Sequence, residues 1–276
     1  MTCVTAHPLG IIAGTGFYDL DALDDAHTEL VDTAYGTTPV TRGTWHGQPV
    51  AFVTRHGAGH EVPPHRVNYR AIIRSLADLG VHDVLAVNVT GGIDPDLEAG
   101  EIVCLDDFLD FTRRREATFH DGTGAEGVVH TDVTNAYDPL LRRELLDAAS
   151  SIGQPVIDGG VYVCFDGPRF ETPAEIRLAA LAGGTVAGMT GVPEVTLAAE
   201  AGLRYAGLSL VVNPAAGVRP GEPITMDDIS EALAAGAPRV LAIIDEFVHT
   251  RSVFSADDSA EDLETGDVNG TDEVDA

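Results

Sequence analysis

The sequence predicts a three-layer α/β domain, and three observations support this fold class. Short apolar, β-branched segments recur along the chain, and segments that are apolar on both faces are typical of the central strands of a covered sheet. Segments with helical spacing alternate with them, which indicates helices packed on that sheet. The chain has 276 residues and 44% hydrophobic content, enough for one large core, and contains no internal repeat or interdomain linker.

Six apolar segments are predicted to be strands. In chain order they are LGIIAG (9–14), PVAFVTRHG (49–57), HDVLAVNVTGG (82–92), EIVCLDDFLD (101–110), GGVYVCFDGP (159–168) and YAGLSLVVN (205–213). The last of them ends at Asn213 before a proline, a pair that favours the end of a strand.

Five further segments have the apolar spacing of helices. They are RVNYRAIIRSLADLG (66–80), DPLLRRELLDAASSIG (138–153), TPAEIRLAALAGG (172–184), VPEVTLAAEAG (192–202) and MDDISEALAAGAPRVLAIIDEFVHT (226–250). Asp138 and Pro139 are N-cap and first-turn signals, and Gly153 is a stop signal. We expect the last helix to be broken at Gly236–Pro238.

The chain is strongly acidic, with 44 acidic residues against 16 basic ones, a net charge of -28 and no Lys. Such a charge repels nucleic acid and anionic membranes, which argues against both as partners. It also destabilises the compact state unless salt screens it, so we expect a protein adapted to multimolar salt. An ordinary acidic cytoplasmic protein is the alternative, and the missing Lys argues against it.

The remaining sequence features predict a cytoplasmic protein with a short tail. Cys3, Cys104 and Cys164 match no metal or CxxC spacing and are expected to be reduced core residues. The sequence shows neither a membrane-spanning run nor an export signal. After Arg251 the composition becomes acidic and loses its aliphatic pattern. We therefore predict a domain over residues 1–251 and a disordered tail over 252–276.

Several strand ends carry groups suited to an anion. Gly14 and Gly16 let backbone N–H groups approach a ligand, and Thr15 adds a hydroxyl. The loop lacks the third glycine of a dinucleotide site and the Lys of a P-loop, and a plain turn also explains it. Asn88 and Thr90 come near the end of another strand, at the edge where open α/β sheets bind ligands.

The stretch TRHGAGHEVPPHRVNYR (54–70) is the densest polar segment. Arg55 and His56 together offer donors for an anion, while a solvated loop is the alternative. His56 and His60 have the i, i+4 spacing of a metal chelate only on a helix, and the surrounding Gly and Pro residues argue against a helix. Farther along the chain, Glu171 suits the first turn of a helix as well as a site, and Thr190 can cap a helix or bind phosphate.

Taken in order, these stretches resemble the purine nucleoside phosphorylase and 5'-methylthioadenosine phosphorylase family over residues 9 to about 250. The matching segments are IIAGTG, TRHGAGHEVPPHRVNYRA, VTGGIDPDLEAGEIVCLDDFLDFT, FDGPRFETPAE, MTGVPEVTLAAEAGLRYAG and SLVVNPA. The resemblance implies a mixed central sheet, a homotrimer or a dimer of trimers, and phosphorolysis of a purine nucleoside. It also implies that inorganic phosphate is a substrate and that no metal or organic cofactor is needed.

The resemblance assigns site residues in groups. It implies phosphate binding by Thr15, Arg55, His56, Asn88, Val89 and Thr190, with the backbone contributing at Asn88 and Val89. Met189 and Phe170 are similar to ribose-contacting residues, and Asn213 to a base-contacting residue. His130 resembles a residue that one subunit lends to its neighbour's site.

Departures from the methylthioadenosine branch predict the base. That branch has Asp at the positions of Asn213 and Ala215 and Ser at the position of Glu171, so this chain resembles the 6-oxopurine branch. An amide can donate to a 6-keto oxygen, and a carboxylate can accept from the N1–H that 6-oxopurines carry and adenine lacks.

Inosine-cleaving relatives have a His that binds the 5'-hydroxyl in the region where this sequence has Met226 and Ile229. These two residues predict an apolar 5' pocket and S-methyl-5'-thioinosine as the leading substrate, unless they only pack a helix. Inosine or guanosine, and then methylthioadenosine, are the next candidates. A nucleosidase and a non-catalytic nucleoside-binding protein are alternatives from other classes.

Overall fold

The computed structural model describes residues 7–17, 22–57, 59–122, 127–219, 221 and 224–264, which form eleven strands and five α-helices. The strands are β1 (Leu9–Ala13), β2 (Asp24–Thr33), β3 (Gly36–Trp45), β4 (Gln48–Thr54), β5 (Asp83–Gly92), β6 (Ile102–Cys104), β7 (Asp107–Asp110), β8 (Ile157–Asp158), β9 (Val161–Cys164), β10 (Val186–Gly188) and β11 (Arg204–Pro214). The helices are α1 (Tyr69–Asp78), α2 (Pro139–Ser151), α3 (Pro173–Leu181), α4 (Gly191–Glu200) and α5 (Met226–Glu264).

These strands form one mixed sheet, as the sequence and its resemblance predict. The main order is β2-β3-β4-β1-β5-β10-β9-β7, while β11 pairs with β5 and β6, and β8 lies beyond β6. The central strands β4, β1, β5 and β11 are parallel, so their carboxyl ends lie at one edge. β10 runs antiparallel to β5.

Helices cover both faces of this sheet. On one face α2 and α5 pack on it through residues such as Leu145 and Phe247, each 1% exposed. On the other face α1 and α4 pack on it through residues such as Leu76 and Val195, both fully buried. The predicted three-layer arrangement is confirmed. Within the described part of the chain, none of the helices has the length and apolar character needed to cross a membrane.

Local sequence determines where the helices begin. The Asp138 carboxylate accepts from the backbone N–H groups of Leu140 and Leu141 at 3.0 and 2.8 Å, at the start of α2. Thr172 and Glu175 form a reciprocal capping box at the start of α3. Both helices have Pro near their first position, where the missing N–H is not needed.

Some strands have no clear signature in the sequence. β2 is exposed along most of its length, so the apolar alternation that marks a half-buried strand is weak in the β2-β3 hairpin. The segment 101–110, predicted as one strand, forms β6 and β7. The chain changes neighbours there: the N–H of Leu105 donates to Gly207 O beside β6, and that of Asp106 donates to Gly160 O.

The predicted break at Gly236–Pro238 is wrong, because α5 is a single helix that contains Pro238. An added Cβ at Gly236 would lie 2.5 Å from Cδ1 of Leu210 on β11. The glycine therefore allows the helix to approach the sheet closely and does not end it. Packing of α5 on the sheet offsets the backbone hydrogen bond that the proline removes.

α5 also extends past Arg251, the end of the predicted domain. Residues 252–264 are helical, which differs from the predicted disorder. Extension of a helix that has already nucleated adds a hydrogen bond with each residue, and this stretch contains no Gly or Pro. Residues 265–276 and Cys3 lie outside the described residues, so the division of the chain at residue 251 stays a prediction.

Candidate active site

A cavity of about 320 Å³ lies at the carboxyl-terminal edge of the central strands, within the usual size range of small-molecule sites. The loops after β1 and β4 and the ends of β5 and β11 form most of its wall. β10 enters from the opposite direction, pairing Ala187 with Gly91 of β5. The turn after β10 therefore brings Met189 and Thr190 to the same edge.

This cavity collects all but one of the predicted site residues. Its lining includes Thr15, Arg55, His56, Asn88, Val89, Phe170, Glu171, Met189, Thr190, Asn213, Ala215, Met226 and Ile229. His130 is exposed and does not line the cavity of its own chain. The lining residues come from distant parts of the sequence, so the parallel strand ends are what assemble them.

The glycine-rich loop after β1 lies directly against Arg55 and His56. An added Cβ at Gly14 would lie 3.6 Å from Nη1 of Arg55 and 3.5 Å from Cδ2 of His56. The N–H of Phe17 donates to Gly14 O at 3.1 Å, which closes a turn. The loop is thus both a turn and a wall of the cavity.

Arg55 is held by a carboxylate that the sequence interpretation did not consider. Its Nε and Nη2 donate to the two carboxylate oxygens of Glu194, each at 2.6 Å, and its Nη1 donates to Val87 O at 2.6 Å. Both ionic side chains are at most 1% exposed. Burial acts to lower the pKa of Arg55, but Glu194 outweighs it and the pKa is raised. Each terminal nitrogen of the guanidinium keeps one further N–H for a ligand.

His56 has a fixed tautomer. Its Nδ1 lies 2.7 Å from Val62 O, and a carbonyl only accepts, so Nδ1 carries a proton. Burial is the main cause that lowers the pKa of His56, and Arg55 lowers it further. Above this lowered pKa the neutral ring presents an unprotonated Nε2. This nitrogen accepts a hydrogen bond and does not supply the donor for an anion that the sequence led us to expect. Gly57 and His60 have φ values of 73° and 58°, which excludes the helical chelate considered for His56 and His60.

The Asn88 side chain is buried without a partner. It is 2% exposed, and neither amide atom has a hydrogen-bond partner among the described residues. Buried amides in folded proteins are nearly always paired, so a ligand or water in this cavity fits the unpaired groups. Thr90, by contrast, bonds to Ser209 Oγ at 2.7 Å inside the sheet.

Thr190 precedes α4 without capping it, because Val192 is extended (φ -121°, ψ 134°) and the regular helical backbone follows that residue. Its side chain makes no capping hydrogen bond to the described part of the chain. The backbone N–H groups of Thr190 and Gly191 donate instead to the phenol oxygen of Tyr162, at 3.1 and 3.2 Å. These two N–H groups are thereby satisfied from within the protein, which leaves the Thr190 hydroxyl as the group that faces a ligand.

Glu171 is not the first-turn acid of α3, a role that Glu175 takes. Burial raises the pKa of Glu171, and its Oε1 is buried with no hydrogen-bond partner in the described ranges. An unpaired buried carboxylate costs stability. A hydrogen-bond donor in the cavity would remove that cost.

A β-bulge orients Asn213. β11 pairs Val211 with Thr90 and Asn213 with Gly91, so Val212 is the extra residue. Bulges next to active sites commonly redirect a side chain. The Asn213 Nδ2 donates to Pro214 O at 2.7 Å, which leaves one N–H and the amide oxygen for a ligand.

Apolar residues line the rest of the cavity. Ile229 is 8% exposed and Ala215 is 4% exposed, whereas Phe170 and Met226 are 44% and 64% exposed. The first two are thus inner residues, and the last two lie at the opening. An isolated chain leaves this opening partly uncovered.

Arg115 was not identified from the sequence, where it is the last residue of a run of three arginines. Its side chain is only 2% exposed, while Arg113 and Arg114 are exposed. Nη2 donates to Met189 O at 2.7 Å and to Phe165 O at 3.1 Å, next to residues that line the cavity. A run of like charges gives no sequence signal that one member is buried.

Comparison with known proteins places the chain in a family. The family model described as "Phosphorylase superfamily" matches residues 8–249. A probable 6-oxopurine nucleoside phosphorylase of Moorella thermoacetica is 46% identical over 225 residues, 82% of this chain and 86% of that protein. A probable S-methyl-5'-thioinosine phosphorylase of Methanopyrus kandleri is 45% identical over 241 residues, 87% of this chain and 91% of that protein.

A solved structure agrees with these sequence matches. The methylthioadenosine phosphorylase of Schistosoma mansoni in complex with adenine superposes with a TM-score of 0.83 at 30% identity, over 94% of this chain and 95% of that one. The shared sheet and the matched length leave one conclusion: the chain belongs to the phosphorylase superfamily.

Proposed function

We propose that the protein is a purine nucleoside phosphorylase, a pentosyltransferase of purine salvage that acts on 6-oxopurine nucleosides. The preferred substrate is S-methyl-5'-thioinosine, and the products are hypoxanthine and 5-methylthioribose 1-phosphate. The observation that carries the proposal is that one cavity is lined both by the predicted phosphate-binding residues and by Glu171 and Asn213. The relatives from Moorella thermoacetica and Methanopyrus kandleri are named as probable nucleoside phosphorylases of this kind, which supports the same reaction class.

The proposed mechanism follows from where charge develops. Cleavage of the N-glycosidic bond makes the ribose positive and the leaving purine negative, so the site needs an anion at the sugar and a donor at the base. Phosphate supplies the counter-charge and the nucleophile, and the free N–H groups of Arg55 and the hydroxyls of Thr15 and Thr190 hold it in line. The phosphate oxygen bonds to ribose C1' as the bond to the purine breaks. Neither a covalent enzyme intermediate nor a metal or organic cofactor is part of this proposal.

Glu171 and Asn213 select the base in this proposal. The buried Oε1 of Glu171 accepts from N1–H of a 6-oxopurine, a proton that adenine lacks. The remaining N–H of Asn213 donates to O6, or its amide oxygen accepts from protonated N7. A site built to bond a substrate N–H discriminates strongly against an analogue without it, because its own buried group is then left unpaired.

The 5' group distinguishes two candidate substrates. Ile229 and Met226 offer apolar contact to a methylthio group, which favours methylthioinosine over inosine and guanosine. If these residues only pack α5, the protein is a general inosine and guanosine phosphorylase. A ratio of kcat/KM for methylthioinosine over inosine near one would favour that second candidate.

The assembly and the working conditions also belong to the proposal. We infer a homotrimer or a dimer of trimers in which the exposed His130, with Val128 and Val129 beside it at 78% and 39% exposure, covers the opening of a neighbour's cavity. With a net charge of -28, the compact fold is expected to need high salt to screen its self-repulsion. Purine salvage of this kind is expected in the cytoplasm.

Product formation with and without phosphate tests the reaction class. The purified protein is incubated at multimolar salt with methylthioinosine, inosine, guanosine and methylthioadenosine, and both base and sugar phosphate are quantified. The proposal expects equal amounts of base and sugar 1-phosphate, formed only with phosphate. Base release without phosphate would indicate a nucleosidase, and binding without turnover would indicate a non-catalytic protein.

A further inference from the structure

We propose that Arg115 is a positioning residue that holds the ribose side and the base side of the cavity in one fixed geometry. The ribose side is residues 189–192, which include Met189 and Thr190. The base side is residues 165–171, which include Glu171. The inference rests on the proposed function, because it assigns those two segments to ribose and base.

The guanidinium of Arg115 bonds to both segments at once. Nη2 donates to the carbonyl oxygens of Met189 at 2.7 Å, Phe165 at 3.1 Å and Asp166 at 3.2 Å. Nη1 donates to the carbonyl oxygen of Val192. It also donates to the Tyr69 phenol oxygen at 3.1 Å, which anchors the same guanidinium to α1.

These contacts continue a connection that the sheet begins. The β9-β10 ladder pairs Cys164 with Gly188, and the N–H of Phe165 donates to Gly188 O at 2.9 Å. Beyond this point the backbone segments that follow β9 and β10 diverge, and each contributes residues to the cavity wall. Arg115 bridges them there, where backbone pairing ends.

The charge of Arg115 serves orientation more than ion pairing. Among the residues that the structure describes, the nearest carboxylate contact is from Nε to Asp166 Oδ1 at 3.8 Å, which is too long for a hydrogen bond. The planar fork of Arg presents five donors in fixed, spread directions to divergent carbonyls, whereas the ammonium of Lys offers three donors from a single nitrogen. A loss of this fork should move Met189 and Glu171 relative to each other. It should leave Arg55 in place, and also Thr190, whose backbone N–H is held independently by the Tyr162 phenol oxygen at 3.1 Å.

The experiment compares Arg115→Met and Arg115→Lys with Arg142→Met as the matched control. Arg142 likewise donates to two backbone carbonyls, Leu105 O at 2.7 Å and Cys104 O at 3.4 Å, and neither lines the cavity. Binding of inosine without phosphate and binding of phosphate alone are measured by calorimetry at high salt, at a temperature where all the variants are folded. Steady-state kcat/KM is measured alongside.

We expect both Arg115 variants to weaken inosine binding at least tenfold and to change phosphate binding less than threefold. Arg142→Met should change neither inosine binding nor phosphate binding by more than threefold, even if its Tm falls by as much as the Tm of the Arg115 variants. Arg115→Lys stays informative if Arg115→Met does not fold. The inference is wrong if the Arg115 variants lose inosine binding and phosphate binding equally, or if Arg142→Met shows the same losses. Arg115 would then have only a structural role.

Binding without phosphate separates this inference from the proposed function. A wild-type protein that binds inosine but does not cleave it with phosphate contradicts the reaction. The Arg115 comparison is still decided by the same calorimetry. If the wild-type protein binds no purine nucleoside, both fail.

Discussion

The guanidinium of Arg55 and the carboxylate of Glu194 form a bidentate pair with two 2.6 Å hydrogen bonds, and both groups are removed from solvent. Tyr205 adds a third hydrogen bond to Glu194, at 2.7 Å. Burial of two charges is costly, and this geometry offsets the cost only while both partners remain. The pair therefore fixes the direction in which Arg55 presents its free N–H groups to the cavity.

Glu194→Gln should destabilise the protein and weaken phosphate binding together. Removal of one partner of a buried ion pair costs about 3–5 kcal/mol, because the other charge is left uncompensated. We expect the phosphate KM to rise about tenfold, because Arg55 is no longer held. Denaturant unfolding at high salt and phosphate titration measure the two effects.

A double-mutant cycle with Arg55→Met provides the control for this pair. The double variant should lose less stability than the sum of the two single variants, by more than about 1 kcal/mol. Additive losses would mean that the two groups do not depend on each other.

Thr190→Val should raise the phosphate KM without lowering stability. The side chain makes no capping bond to the described residues, whereas one hydrogen bond to a charged group contributes about 1.5–3 kcal/mol, or tenfold and more in KM. Asp138→Ala is the control, because Asp138 caps α2 away from the cavity. It should lower the free energy of unfolding by about 1 kcal/mol and leave the phosphate KM unchanged. The opposite pattern would assign Thr190 to helix capping.

Glu171→Gln should separate activity from stability. Burial raises the pKa of Glu171 above its ordinary value of 4.5, so between pH 4.5 and the raised pKa the folded protein binds more protons here than the unfolded chain. The contribution of this group to stability is full below pH 4.5 and is lost as pH rises through the folded pKa. The variant lacks this loss, so above the folded pKa it should be as stable as wild type or more stable.

The same substitution should alter the acid side of the pH-rate profile. Wild-type kcat/KM for inosine should fall as pH falls through the raised pKa, because a protonated Glu171 no longer accepts from N1–H as a carboxylate does. Glu171→Gln should lack this step and show at least tenfold weaker discrimination between inosine and adenosine. If the pH dependence of kcat/KM is the same in the variant and in wild type, Glu171 does not take part in base recognition.

Asn213→Asp should shift base preference toward 6-aminopurines. A carboxylate shares a proton with N7 but only accepts near the 6 position, which suits an amino group and repels a keto oxygen. The ratio of kcat/KM for inosine over adenosine should fall at least tenfold. Asn213 is 8% exposed, so the Tm of the variant is measured under the assay conditions. This measurement separates a loss of fold from a change of base preference. An unchanged ratio would return Asn213 to the role of a strand terminator.

Local sequence signals predict much of this fold. Apolar runs predict the buried strands, and Asp138 and Thr172 mark helix starts by chemistry that acts over three residues. The errors arise where distant packing decides. Gly236 packs closely against Leu210 on β11. The local sequence contains no sign of this contact, so the glycine is interpreted as a helix breaker.

The candidate site shows the same division. The donors at Thr15, Arg55 and Asn88 follow from strand ends, since parallel strands bring their carboxyl ends together. Glu194 lies 139 positions from Arg55, and no local pattern connects them. Arg115 is similar, because its partners are backbone carbonyls, which every residue has. The bulge at Val212 also has no sequence signature of its own.

Base selectivity of the wild-type protein tests the central claim most directly. The measurement is kcat/KM for S-methyl-5'-thioinosine against 5'-methylthioadenosine, with saturating phosphate at multimolar salt. The two nucleosides share the 5' group and differ at N1 and the 6 position, so the ratio isolates the contacts made by Glu171 and Asn213. We predict a ratio of at least about one hundred in favour of methylthioinosine. Faster phosphorolysis of methylthioadenosine would contradict the assignment of both residues.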